Sequence, residues 1–348
     1  MKKYSIKNIT LFLFIFILSS CYFTHTPLVP DPAGFHPVLS SPFDSAGGIP
    51  VSSIAGSDNM AVAVSEDGTI AFSHDSGVSW EKVKSENIFG YISGANYNTV
   101  TYGEGWFLAG GNGGIAAYSR DGIIWHAGVI GPMSPKNILC AAIGKIMGVT
   151  VFVTAGNDGR LAHAMGSPEG PWYMADQSPF GSVQDYGGII SGLAYGKVKG
   201  NGVFVAVGDQ GRIAFMKDFS AKWYGDRAGT GGTFRSVAFG NDRFMALGDN
   251  GLMKYSFDPR EYTWITVKDT VFGLRQFAGV EFDPVTKHFA AWTNDNVFGF
   301  SEFGETWNVA VLQSKFPGGS STERISAAAC TGHRIILGGS MGTIVYSN

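Results

Sequence analysis

One unit recurs along the chain, and its form limits the possible folds more than any other feature. Val203–Trp223, VFVAVGDQGRIAFMKDFSAKW, reads as an apolar strand, a tight turn at Gly208-Asp209-Gln210-Gly211 and a second, alternating strand; a further turn then leads to a tryptophan opening a third strand. Variants stand at 60–80 (MAVAVSEDGTIAFSHDSGVSW), 106–125, 151–172, 244–264 and 288–307, with a truncated copy, RIILGGSMGTIVYSN, at 334–348. From one turn to the next (68, 113, 159, 211, 251, 296, 342) the spacing is 40 to 52 residues, the size of a propeller blade. Seven copies of one all-β unit predict a seven-bladed β-propeller of four-stranded antiparallel blades.

The strands can be placed within each unit. The innermost are expected at Ser53–Ala55, Thr99–Tyr102, Leu139–Ile143, Gly192–Tyr195, Arg235–Phe239, Gly279–Phe282 and Ser326–Ala329, rich in the small residues that blades need where they crowd toward an axis. Second strands such as Phe244–Leu247 are apolar throughout, as a strand buried on both faces should be. The turns between strands two and three carry Asp-Gly and Asn-Gly types that tolerate positive φ. No helical periodicity is sustained beyond the N-terminal region.

The two ends of the domain imply each other. Phe35–Phe43 opens on an aromatic and reaches a Phe eight residues later, much as Trp80–Phe89 and Trp264–Phe272 do, so it resembles an outer strand standing alone. The final repeat stops at Asn348 before its own outer strand. The N-terminal strand, Phe35–Ser40, is therefore expected to complete blade seven and close the ring, leaving no orphan edge at the seam. Pro37 is tolerable there because an outermost strand has one unpaired side.

The first residues look like targeting sequence. Lys2, Lys3 and Lys7 precede the apolar run Leu11–Leu18, which ends at Leu18-Ser19-Ser20-Cys21. That ending resembles the bacterial lipobox, and the resemblance implies lipid attachment at Cys21, with residues 1–20 as signal peptide, 21–34 as a Pro-rich tether and 35–348 as the propeller. An ordinary secretory signal or an uncleaved anchor is the plainer alternative, although the apolar run is short for a membrane span of roughly 20 residues. The expected location is the bacterial cell envelope, outside the cytoplasm, with the membrane reached through the lipid. The other thiols, Cys140 and Cys330, fall on inner strands of separate repeats and are expected to be buried and unpaired.

Ser73-His74-Asp75-Ser76-Gly77-Val78-Ser79-Trp80 matches the Asp-box pattern Ser/Thr-x-Asp-x-Gly-x-x-Trp at each defined position. Ser119–Trp125 is one residue shorter, Asp218 and Trp223 keep the spacing with Ser220 in place of Gly, and Phe303 replaces the acid in Ser301–Trp307. Tyr255–Pro259 before Trp264 leans toward kelch-type repeats. Over about 36–348 the chain resembles bacterial Asp-box (BNR-like) propellers, whose relatives include sialidases and the photosystem II assembly-factor family. The resemblance implies architecture first, since Ser73, Asp75, Gly77 and Trp80 are a folding device, the carboxylate accepting backbone N–H groups and the indole packing on the sheet.

Charge and motif content narrow the function. A net charge of −3 with no basic run gives nucleic acid no footprint. The histidines show no zinc spacing, no acidic loop has EF-hand form, and no phosphate loop or nucleophile elbow occurs, so no metal and no cofactor is expected. A sialidase-like hydrolase would need converging arginines, and only Arg235, with Arg275 and Arg324 just ahead of inner strands, is placed to contribute.

Two sets of residues could form a binding face where the 2–3 turns and blade connectors emerge together. Asp67, Asn112, Asp158, Asp209, Asp249 and Asp295 either serve turn geometry or make a mildly acidic rim for a cation or polar glycan. The connector residues Phe43, Phe89, Met133, Phe180, Phe272 and Phe316 either plug gaps between blades or offer an apolar platform. Two connectors, 176–188 and 226–232, break the repeat and carry Tyr186 and Arg227, which places specificity in that sector. The expectation is a lipid-anchored binding or assembly scaffold for an envelope protein or glycan, with a divergent sialidase-like hydrolase as the rival.

Overall fold

The computed structural model describes residues 34–43, 48–175, 180, 187–220, 222–227, 231–311, 319–320, 322–331 and 334–347. Those residues form seven antiparallel sheets arranged as a β-propeller, with no α-helix among them. Blade 4 shows the plan: Ile190–Val198 lies innermost, then Asn201–Gly208, Arg212–Met216 and the outer Tyr224–Arg227. Each inner strand contains the segment expected from sequence; that of blade 6, for example, is Phe277–Asp283.

Second strands are buried apart from the first one or two residues of some, and completely so at Ala61–Ser65 and Arg243–Gly248, because each is covered by a neighbouring blade on both faces. The core is accordingly divided among the clefts between blades. Val62, Phe72, Tyr97 and Trp125 fill the first cleft, and Val203, Phe215, Phe234 and Phe244 fill the one between blades 4 and 5. Burying side chains of this size contributes about 1.5–3 kcal/mol each, so the ring is held mainly by blade-on-blade contact.

The ring closes as its ends predict. Phe35–Pro37 pairs antiparallel with Ile344–Ser347, with Phe35 opposite Ser347 and Pro37 opposite Val345. The Val38 amide donates to the Ile344 carbonyl at 2.9 Å, and the Ser41 hydroxyl donates to the Gly342 carbonyl at 2.6 Å. Phe43 is sealed between Ile336 and Ile344 of blade 7 and Val51 and Trp80 of blade 1.

The two faces have different turns. On the lower face, where strands one and two join, blades 2 to 5 use two-residue turns with positive φ at both positions: Glu104-Gly105, Met147-Gly148, Lys199-Gly200 and Asn241-Asp242. These fit the right-handed twist of the paired strands. On the upper face the 2–3 turn is fastened to the connector entering the same blade. The amides of Asn112, Asp209, Asp249 and Ser340 donate to the carbonyls of Asn96, Ile189, Thr233 and Arg324. Gly208, just before its turn, comes so close to the Ile189 carbonyl that a Cβ would collide with it.

One five-stranded sheet departs from the plan. Ile88–Phe89 runs parallel along the outside of Trp125–Val129 in blade 2. Phe89 is therefore not a plug between blades: it is 56% exposed and stacks on His126 at 5.2 Å. The place against the turn glycine that Phe43, Phe180 and Met133 occupy elsewhere falls to Ala95, beside Gly68. Phe43, Met133, Phe180 and Phe272 are fully buried in the clefts, and Phe316 lies outside the described residues.

Candidate functional site

The upper face is built from side chains that bond to one another. Asp67 accepts from the Ser65 hydroxyl and, at 2.9 Å, from the Thr69 amide. Asp295 does the same for Thr293 and also accepts from Arg275 at 2.9 Å. Asp158 pairs with Lys136, and Asp209 accepts from the Ile189 amide at 2.8 Å. Asn112 accepts from Asn98 at 2.9 Å. Asp249 takes both Nε and Nη2 of Arg235 at 2.8 Å and the Gln276 amide at 3.0 Å.

These acids and amides do not make one equivalent ring. Asn112, Asp209 and Asp249 hold the first turn position, where they face the incoming connector, whereas Asp67, Asp158 and Asp295 hold the second. The offset is written in the turn sequences, with Asp67 one residue before Gly68 and Asp249 two before Gly251. Across blades 5 to 7 the bonds join into a chain: Arg235 to Asp249, Gln276 to Asp249, Asn294 to Gln276, and Arg324 Nη1 to the Asn294 carbonyl at 3.2 Å. Hydrogen bonds from Arg235 hold the Asp249 carboxyl below the usual carboxylate range, against the burial that raises it. Arg235, Arg275 and Arg324 are thus directed to separate acceptors, Asp249, Asp295 with the Phe272 carbonyl, and the Asn294 carbonyl.

Tyr186 lies outside the described residues. Arg227 is not in a connector as its glycine-rich surroundings imply: its backbone ends the outer strand of blade 4, opposite Arg212. Cys21 also lies outside the described residues.

The Ser73–Trp80 hairpin is closed by side-chain hydrogen bonds. The Ser73 hydroxyl donates to Asp75 at 2.8 Å and accepts from the Gly77 amide at 2.8 Å. Asp75 accepts from the Ser79 amide and hydroxyl, and Trp80 Nε1 donates to the Gly77 carbonyl at 3.0 Å. Ser119, Asp121, Gly122 and Trp125 repeat it. In blade 6, where Phe303 stands in for the acid, Asp269 of the preceding connector accepts from the Trp307 amide at 2.7 Å.

The inner strands enclose an axial channel whose lower half carries a group that sequence reading passed over. Glu281 projects from the blade 6 inner strand into it, and no cation or hydrogen-bond donor reaches its carboxylate among the described residues. The channel leaves a path to the carboxyl, yet protein surrounds it, and that burial pushes it up to about 7. The available signal was a charge inside the strand Phe277–Asp283, whose other charged residue, Asp283, stands at its end.

Near the lower mouth, aromatic rings lie over glycines of the preceding blade. Tyr195 covers Gly144, Phe239 covers Gly196 and Phe282 covers Gly240, where a Cβ would run into each ring. The series stops after Phe282. Cys330 and Ala55 hold the matching places in blades 7 and 1, and a cavity of about 330 Å³ opens there. Tyr102, Phe282, Glu281, Asp58, Val285 and Cys330 are among its lining residues.

No protein-family model matches the chain, and no curated protein matches it. Solved structures do. One described as YCF48 bound to D1 peptide superposes with a TM-score of 0.66 at 15% identity, covering 90% of this chain and 94% of that one. YCF48 from Cyanidioschyzon merolae gives 0.66 at 14%, over 91% of this chain and 99% of that one. The WD40 β-propeller domain of Doa1 gives 0.64 at 14%, over 90% and 97%. The likeness is one of fold. At these identities it extends to the closed ring of blades and not to any side chain.

Proposed function

We propose that this propeller is a binding and assembly scaffold for a protein or glycan at the bacterial cell envelope, held to the membrane by lipid on Cys21. The observation that carries the reading is the upper face. Its arginines, acids and amides hold one another in a polar network, and in sequence the connectors 176–188 and 226–232, which lead into blades 4 and 5, break the repeat. A face built this way favours recognition over a reacting constellation, since Arg235, Arg275 and Arg324 are committed to separate acceptors. The similar structure described as bound to a D1 peptide supports the idea that a propeller of this shape can hold a polypeptide. The Lys-flanked apolar run ending at Ser19-Ser20-Cys21 supports the lipid anchor, and the Ser73–Trp80 pattern supports the kinship with Asp-box propellers.

The test is cross-linking and co-purification from solubilised envelope, run on the intact chain and on one lacking 35–43. A defined partner retained only by the closed ring is expected. Recovery of no partner, together with turnover of a sialoside, would overturn the scaffold reading. Replacement of Cys21 by Ala is expected to release the chain from membranes; continued retention would count against the anchor.

A further inference from the structure

We propose that the opening on the lower mouth, between blades 6, 7 and 1, is a pocket for one basic side chain, lysine or arginine, of a partner polypeptide. The inference deepens the scaffold reading and rests on it. The opening follows directly from sequence. Tyr195, Phe239 and Phe282 roof successive blade junctions, and a ring at Cys330 and another at Ala55 would continue the roof. Those small residues leave about 330 Å³ instead. The flanking turns are also longer than the two-residue turns of blades 2 to 5: Pro284–Lys287 on one side and Ser57–Met60 on the other bring Val285 and Asp58 to the rim.

The lining selects the occupant. Tyr102 and Phe282 offer ring surface to an alkyl stem and to a cation, and Glu281 at the inner end is a carboxylate with no partner of its own. A carboxylate largely surrounded by protein and given no partner is costly, and a cation brought to it lowers that cost. Asp58 at the rim, exposed and without a partner among the described residues, adds a second negative charge on the entry path. An anionic or purely apolar occupant would leave Glu281 unsatisfied.

Among the described residues, the ionisable groups lining the channel and the pocket supply no competing cation. Asp283 on the same strand is occupied by the Val285 amide and the Thr286 hydroxyl. Cys330 is kept neutral, its thiol pushed well up by burial first and then by Asp283 and Glu281. Glu104 and Lys145 pair with each other at 2.6 Å, Tyr195 donates to the Lys145 carbonyl, and Arg235 at the opposite end of the channel is held by Asp249. The buried thiol of Cys140 and the phenol of Tyr102 also line these spaces, and Lys287, exposed in the flanking turn, is not among the residues lining the pocket.

The experiment is a titration of the intact domain with end-blocked Gly-Lys-Gly and Gly-Arg-Gly, followed by calorimetry and amide chemical shifts, with the Gly-norleucine-Gly analogue and putrescine as controls. A basic tripeptide is expected to shift amides of Tyr102, Phe282 and Cys330 and to bind at least tenfold more tightly than the norleucine analogue. Because the Glu281 proton must leave, affinity is expected to rise about tenfold between pH 6 and 8, with proton release on binding. Glu281→Gln, isosteric and uncharged, is expected to abolish both the preference and the pH dependence, and Cys330→Phe to fill the pocket and block binding.

Equal affinity for the norleucine analogue, or a Glu281→Gln variant that binds as well as the native chain, would overturn the pocket. Putrescine binding more tightly than either tripeptide would overturn its assignment to a polypeptide. Should Cys330→Phe fail to fold, Glu281→Gln decides. A cross-linked partner indifferent to Glu281→Gln would leave the scaffold standing while removing this pocket, so the two readings fail separately.

Discussion

Phe35 stands directly opposite Ser347 in the outermost strand pair of blade 7, so the first and last strands of the domain are neighbours. The pairing is backed on its inner side by Leu337, Val345 and the blade 6 aromatics Phe298 and Phe300, which share a cluster with Phe35. A seam of this kind makes every other blade position dependent on residues at both ends of the chain, and it fixes which turns share a face.

Acid should loosen the ring through its hairpins. Burial raises the Asp75 carboxyl, but hydrogen bonds from Ser79 and Ser73 outweigh it and leave the group below its ordinary 3.8; Asp67 and Asp121 behave alike, through bonds from Ser65 and Thr69 and from the Ile123 and Ile124 amides. A depressed folded value means the stabilisation is present above about pH 4 and lost as pH falls through it. Melting temperature is therefore expected to drop steeply below about pH 4. Asp75→Asn should melt lower at neutral pH, by about 1 kcal/mol, and converge toward the native chain in acid. Parallel curves down to pH 2.5 would show that Asp75 carries no such linkage.

Met147 occupies the first position of a two-residue turn with φ of 47°, and its side chain is 76% exposed, so nothing is gained for the strain. Met147→Asn is expected to stabilise the domain by about 0.5–1 kcal/mol in urea unfolding. A loss of stability would mean that Met147 makes contacts its exposure does not reveal.

Asp269 links blades 5 and 6 by accepting from the Trp307 amide at 2.7 Å and from the Val271 amide at 2.9 Å. Its removal leaves the Trp307 N–H without that acceptor, and Asp269→Ala is expected to cost about 1–2 kcal/mol in the same measurement. A neutral result would assign the Trp307 anchor wholly to its indole bond with Gly304.

Much of this was readable in advance because each feature leaves a local mark. Asp-Gly turns set the blade boundaries, small residues marked the inner strands, and Phe43, Phe180 and Phe272 recurred at the spacing of buried plugs. Phe89 misled because it keeps that spacing while Gly90–Ala95 extends the connector, so that Ala95 rather than a ring reaches the turn. The turn acids misled in register: Asp67 and Asp249 differ by one position within turns of equal length. Glu281 could be noticed only as a charge in an inner strand, since the gap around it depends on Cys330 and Ala55, which lie near opposite ends of the sequence but on adjacent blades of the ring. Contacts of that sort come from closure, which no single repeat records.

The most direct measurement is thermal unfolding of the domain with and without residues 35–43. That deletion removes the outer strand of blade 7 together with Phe35 and Phe43, and leaves Ile344–Ser347 as a bare edge. Losing two large buried rings at about 3–5 kcal/mol each should lower the melting temperature by roughly 10 °C and broaden the transition. An unchanged melting temperature would contradict the closed ring, and with it the arrangement of both faces.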